Sequence, residues 1–132
     1  MAFKALYVED DKASRTIMKT FAQFYPDLID LTIFEDSSNF EARLAKLGKL
    51  DVVFLDIHMK PLNGFQMLEI VRKCSWYSEA HIIAITASVM TEEIQKLKVK
   101  GFHSVFAKPI DFDALPRMIQ RVLNNDPIWY VV

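Results

Sequence analysis

The sequence predicts an α/β domain: a doubly wound, five-stranded parallel sheet with helices on both faces. Two observations carry this. Five apolar runs of strand length (Ala5–Val8, Leu31–Phe34, Val52–Leu55, Ile82–Ile85 and Val105–Ala107) alternate strictly with segments of helical spacing. The runs are also near-continuously apolar, Thr32 apart, as strands must be when both faces are covered. Each crossover is long enough to hold a helix, and right-handed crossovers wind helices onto both faces.

The elements follow in order. After the first run, Ala13, Ile17, Phe21 and Phe24 fall on one helical face, with Asp11 placed as N-cap and Pro26 as the stop. Phe40, Leu44 and Leu47 mark the second helix, with a capping box expected from Ser38 to Glu41 and a C-cap at Gly48. Leu68 and Val71 mark the third helix; Ile94 and Leu97 mark the fourth, which ends before Gly101. Leu115, Ile119, Val122 and Leu123 mark the fifth. Proline is tolerated only in a helix's first turn, so Pro116 favours Asp113 over Asp111 as its N-cap.

At 132 residues the chain is one ordinary domain, and 52% hydrophobic with 25% charged residues excludes a disordered one. A net charge of -1 without a Lys/Arg block gives no footprint for direct nucleic-acid binding. Cys74 is the single cysteine, which excludes a disulfide framework and fits a reducing compartment. The apolar stretch at the start is too short for a signal sequence or a membrane span, so a cytoplasmic protein with no membrane insertion is expected. Residues 1–125 form the domain, and 126–132 an apolar C-terminal tail or the start of a linker, docked on the domain or on a partner.

In an open parallel sheet, ligands bind beyond the carboxyl ends of the strands. The first run leads into Glu9, Asp10 and Asp11, the second into Glu35 and Asp36, and the third into Asp56. The fourth leads into Thr86 and Ala87, the fifth into Lys108 and Pro109. Singly, these are ordinary caps, strand residues and solvated charges. Together they bring carboxylates, a hydroxyl and an ammonium to one rim, with Asp56 at the centre.

The stretches "YVEDD", "VFLDIHMKPLNG", "IAITAS" and "FAKPI" stand in the order and at the separations of one family. In them the chain resembles the receiver domains of two-component response regulators, over nearly its whole length. The resemblance implies a flavodoxin-like sheet of order 2-1-3-4-5, with Glu35 and Asp36 on an edge strand away from the site. It implies that Asp56 accepts a phosphoryl group from a histidine kinase or phosphotransfer protein, as a carboxylate nucleophile. It assigns Mg²⁺ to Asp10, Asp56, Glu9 (through water) and the His58 main-chain carbonyl, an oxygen-only set suited to that ion. Lys108 pairs with the phosphoryl oxygens, Thr86 hydrogen-bonds one of them, and the 108–109 peptide bond is cis. His58 and Ser88 fall where the family tunes phosphoryl lifetime. The implied output is altered binding of a partner around helix four, strand five and helix five. A homodimer through that face is also common in the family. Such a domain is a signalling phosphoacceptor rather than an enzyme with turnover, either standing alone or as part of a longer protein.

Two departures stand out. Met59 is followed by Lys60, with Pro61 one place late, and Lys60 reads as a solvated charge. Val105 stands where many receivers carry a switching aromatic, while Phe106 points the other way, into the core. These departures support an alternative, a receiver-like interaction module that works without phosphorylation. A haloacid-dehalogenase-type phosphatase needs a second Asp two residues past the nucleophile, where this chain has His58. Gly48, Gly64 and Gly101 form no phosphate-cradling loop of a dinucleotide-binding fold. His81 and His103 read as structural or surface residues, and Trp76 and Tyr77 as a packing loop.

Overall fold

The computed structural model describes residues 2–129. Five strands, β1 (Phe3–Val8), β2 (Ile29–Phe34), β3 (Val52–Asp56), β4 (His81–Thr86) and β5 (Ser104–Ala107), pair in parallel in the order β2-β1-β3-β4-β5. The helices are α1 (Lys12–Phe24), α2 (Phe40–Leu47), α3 (Gly64–Arg72), α4 (Thr91–Lys100) and α5 (Leu115–Leu123), with a 3₁₀ turn at Tyr77–Glu79. The expected fold class and strand order are therefore the observed ones.

Alternation along the strands divides the core in two. Leu6, Val8, Val53, Leu55 and Val105 face one apolar layer, filled by Phe40 and Leu44 of α2, Met67, Leu68 and Val71 of α3, and Leu97 of α4. Ala5, Tyr7, Phe54, Ile83 and Phe106 face the other, filled by Met18 and Phe21 of α1 and Leu115, Ile119 and Val122 of α5. Val105 and Phe106 are both fully buried on opposite faces, so position 105 presents an aliphatic side chain inside the core.

Several local expectations need correction. The buried face of α1 is Ser14, Met18 and Phe21; Ala13 is exposed and Phe24 lies 70% open, stacked edge-on against Phe112. The 3.6-residue period was right, but the face is turned by one residue. The Ser38–Glu41 capping box does not form: Asp36 takes both the Ser38 N–H and the Ser38 hydroxyl, and α2 starts from Asn39 at φ 48° with no side-chain cap. A capping box does open α3, between Asn63 and Gln66. Asp113 caps nothing: Asp111 accepts the N–H groups of Asp113, Ala114 and Leu115, and α5 starts from Ala114 with Pro116 in its first turn.

His103 is structural. Its Nδ1 accepts the Ile82 N–H at 3.0 Å, and its ring stacks on Tyr77 and meets His81 edge-on. Trp76 and Tyr77 pack on the first apolar layer, as expected of a packing loop.

The tail docks on its own domain as far as it is described; the remaining tail positions, 130–132, lie outside the described residues. The Ile128 carbonyl accepts the Val105 N–H at 2.8 Å, and the Ile128 N–H donates to the buried Ser104 hydroxyl at 3.0 Å. Ile128 packs on the second layer and Trp129 on the first, under the Lys98 ammonium of α4. The segment thereby closes the free edge of β5, which would otherwise expose unpaired backbone groups. Truncation after Asn125 strands the Val105 N–H and the Ser104 hydroxyl. Urea denaturation should then show a loss of about 1–2 kcal/mol; unchanged stability would mean that the docking contributes nothing.

Candidate functional site

β1 and β3 are adjacent at the centre of the sheet, so their carboxyl ends deliver Glu9, Asp10 and Asp56 to one place. One oxygen from each carboxylate lies within 4.8 Å of the others. Glu9 is fully buried and Asp56 is 2% exposed, while Asp10 is open to solvent. The set is all oxygen, held on two sides by the protein and open to water on the third. It fits a hard, partly hydrated cation such as Mg²⁺.

Lys108 reaches across from the end of β5. Its Nζ lies 2.9 Å from Glu9 Oε2 and 3.2 Å from Asp56 Oδ2. The Lys108–Pro109 peptide is cis, as is Lys60–Pro61. The Lys108 N–H also donates to the Thr86 carbonyl at 2.9 Å, tying the ends of β4 and β5 together. Thr86 is buried at the next strand end, its hydroxyl accepting the Ser88 N–H at 3.1 Å. It is not hydrogen-bonded to the carboxylates. His58 contributes its main chain: its N–H donates to Asp56 Oδ1 at 3.1 Å, while its imidazole is exposed. Lys60 is exposed as well.

Crowding two carboxylates in a buried site decides their protonation. Burial, and the Glu9 carboxylate beside it, push the Asp56 carboxyl up to about 7. Burial pulls Glu9 upward too, but hydrogen bonds from Asp56, Tyr7 and Lys108 outweigh it and hold Glu9 below the usual carboxylate value. Of the two, Asp56 is therefore the carboxylate that takes up a proton more readily. Burial works against the Lys108 ammonium, yet its two carboxylate partners hold its pKa above the usual lysine value.

The expected residues Glu9, Asp10, Asp56 and Lys108 come together, with Thr86 and the His58 backbone at the margin. Glu35 and Asp36 lie elsewhere, paired with Arg15 at 3.4 Å and Arg43 at 3.0 Å. The sequence reading missed Tyr7, whose hydroxyl donates to Glu9 Oε1 at 2.5 Å. Its signal was available: it precedes Glu9 by two residues on one strand and so shares its face. Arg15 was missed too; it ties the Glu9 and Asp10 carbonyls at 3.1 and 2.8 Å.

The comparisons with known proteins agree with this fold. A family model described as the response regulator receiver domain matches residues 5–120. The Escherichia coli signal transduction histidine-protein kinase BarA is 25% identical over 92% of this chain, and yeast transcription factor SKN7 is 30% identical over 93%. The chain spans only 13% and 19% of the lengths of these two relatives. Among solved structures, the chemotaxis response regulator CheY4 of Vibrio cholerae superposes with a TM-score of 0.82 at 26% identity, over 93% of this chain and 100% of that one. The receiver domain of sensor histidine kinase PA1611 from Pseudomonas aeruginosa, which has a magnesium ion coordinated in its active-site cleft, gives a TM-score of 0.78. That match covers 94% of this chain and 99% of that one, and at 22% identity it speaks for the fold alone.

Gly64 lets α3 pack against the strand end that carries Asp56. A Cβ there would lie 2.9 Å from the Asp56 carbonyl oxygen and 2.9 Å from Ile57 Cα, both backbone atoms that cannot swing aside. Gly64→Ala should cost about 1–3 kcal/mol in urea denaturation, the scale of an overpacked contact. A variant as stable as the parent would show that the strand end yields freely.

Proposed function

The chain belongs to the response regulator receiver domain family, and from that premise we propose that Asp56 is its phosphoryl acceptor, supplied by a histidine kinase or phosphotransfer protein. The observation that carries this is the position of Asp56. It is a buried carboxylate at the end of a central strand, facing Glu9 and Asp10 on one side and the Lys108 ammonium at 3.2 Å on the other.

The reaction is a displacement at phosphorus. An Asp56 carboxylate oxygen attacks the phosphoryl group of a donor phosphohistidine. The new O–P bond forms as the N–P bond breaks, and the donor imidazole leaves with the electron pair. The chain's residues orient and balance charge. The His58 N–H fixes Asp56 Oδ1, which sets the carboxylate plane. Lys108, already beside Asp56 Oδ2, is positioned to pair with the new phosphoryl oxygens. Glu9, Asp10, Asp56 and the His58 carbonyl would hold Mg²⁺, whose charge favours the ionised form of Asp56 and offsets repulsion between the carboxylates and the phosphoryl dianion.

Thr86 carries the readout. Its hydroxyl accepts one N–H, from Ser88, so its own proton is free to turn toward a phosphoryl oxygen. Such a shift pulls on the loop from Ala87 to Met90 that leads into α4, and so alters the surface offered to a partner. With Val105 buried and aliphatic, the response rests on this loop and not on an aromatic side chain in β5.

Incubation with Mg²⁺ and acetyl phosphate should add one phosphoryl group by intact mass, with no gain in Asp56→Asn or in excess EDTA. If a cognate phosphohistidine donor also leaves the mass unchanged, the acceptor role fails. The chain would then be the phosphorylation-independent interaction module that Val105 favours.

A further inference from the structure

Tyr7 sits in the middle of the sheet with its whole side chain buried, its ring edge-on to Phe54 at 6.0 Å between centroids. A tyrosine in a core must find a partner for its hydroxyl. In this chain the partner is Glu9: the single O–H proton goes to Oε1 at 2.5 Å. Glu9 is itself fully buried, and its other oxygen takes the Lys108 ammonium at 2.9 Å and the Asp11 N–H at 3.3 Å. Beside the neighbouring Asp56 carboxyl, these three donors define where the carboxylate can be.

They are not equivalent. Lys108 divides its charge between Glu9 and Asp56, and it is the group that turns to any new anion at Asp56. The Asp11 N–H contact is the longest of the three and belongs to a loop. Tyr7 alone is held by the core on a central strand, is uncharged, and gives its one proton to Glu9. A ligand carboxylate is oriented by the donors behind it, and such supporting contacts weigh heavily on metal affinity.

We propose that Tyr7 is a positioning residue of the carboxylate cluster: its hydroxyl fixes Glu9 so that Glu9, Asp10 and Asp56 present a preformed oxygen set to a divalent cation. This rests on the reading of the cluster as the Mg²⁺ site. Without the hydroxyl, Glu9 Oε1 loses the donor that faces it, and the side chain must swing or draw Lys108 away from Asp56. Either change degrades the site while leaving the fold intact, because phenylalanine fills the same volume.

The test is a calorimetric Mg²⁺ titration of the full chain, Tyr7→Phe, Glu9→Ala and the double variant, with melting temperatures in EDTA. Tyr7→Phe should weaken Mg²⁺ binding about 10-fold or more. In the Glu9→Ala background the same substitution should change Kd by less than about twofold, because the group through which it acts is gone. Unchanged affinity with a lowered melting temperature would make Tyr7 a purely structural residue and overturn the inference. An equal penalty in both backgrounds would overturn it as well, since Tyr7 would not be acting through Glu9. Absence of Mg²⁺ binding in the unsubstituted chain defeats the metal-site reading itself, and the inference with it. Binding in that chain together with undiminished binding in Tyr7→Phe defeats the inference alone.

Discussion

Two carboxylates forced together out of water govern this molecule. Glu9 and Asp56 project from adjacent central strands into a site where neither reaches solvent, and the Lys108 ammonium, 2.9 and 3.2 Å away, neutralises only one charge. Burying like charges side by side is unfavourable by several kcal/mol unless a proton or a cation intervenes. The fold imposes the arrangement. The β2-β1-β3-β4-β5 order makes β1 and β3 neighbours, both packed between the two apolar layers, so their carboxyl ends deliver the carboxylates to one place. Only a side chain as long as lysine could reach the pair from β5, which lies beyond β4.

The surroundings turn this conflict into a poised site. His58 and Tyr7 each give one donor to a specific carboxylate oxygen, and the other oxygen of each carboxylate, Glu9 Oε2 and Asp56 Oδ2, faces the Lys108 ammonium. Thr86 and Lys108 are joined through the backbone, which ties the ends of β4 and β5 together beside Asp56. On the far side of β5, the Val105 N–H is taken by Ile128 and Trp129 lies under Lys98 of α4. The strand that carries Lys108 is thus bounded at one end by the acidic cluster and along its edge by the chain's own tail.

Much of this was legible in the sequence, for a physical reason. A strand buried on both faces must be apolar throughout, so a charge at its end stands out, and Asp56 and Lys108 could be located with no coordinates. Local competition was harder to read. The Ser38–Glu41 pattern has capping-box spacing, but Asp36 lies nearer to Ser38 and takes both of its groups. The Asn63–Gln66 box had the same kind of signature and went unread beside the more conspicuous Pro61 and Gly64. The rotation of α1 by one residue depends on how the helix meets the sheet, which no helical period specifies. Tyr7 reads as any core aromatic, and only its two-residue spacing from Glu9 marks it as a partner of that carboxylate. The docking of Ile128 likewise depends on a free strand edge that only the assembled sheet reveals.

Asp56 is held in an electrostatic conflict that a proton or a divalent cation relieves. Thermal unfolding of the wild-type chain and of Asp56→Asn, each with EDTA and with Mg²⁺ at pH 8, tests this most directly. Asn should stabilise the protein in EDTA by on the order of 1–3 kcal/mol, the scale of an uncompensated buried charge. Mg²⁺ should raise the wild-type melting temperature more than that of the variant. A variant less stable than wild type in EDTA, with the two chains responding equally to Mg²⁺, would contradict it.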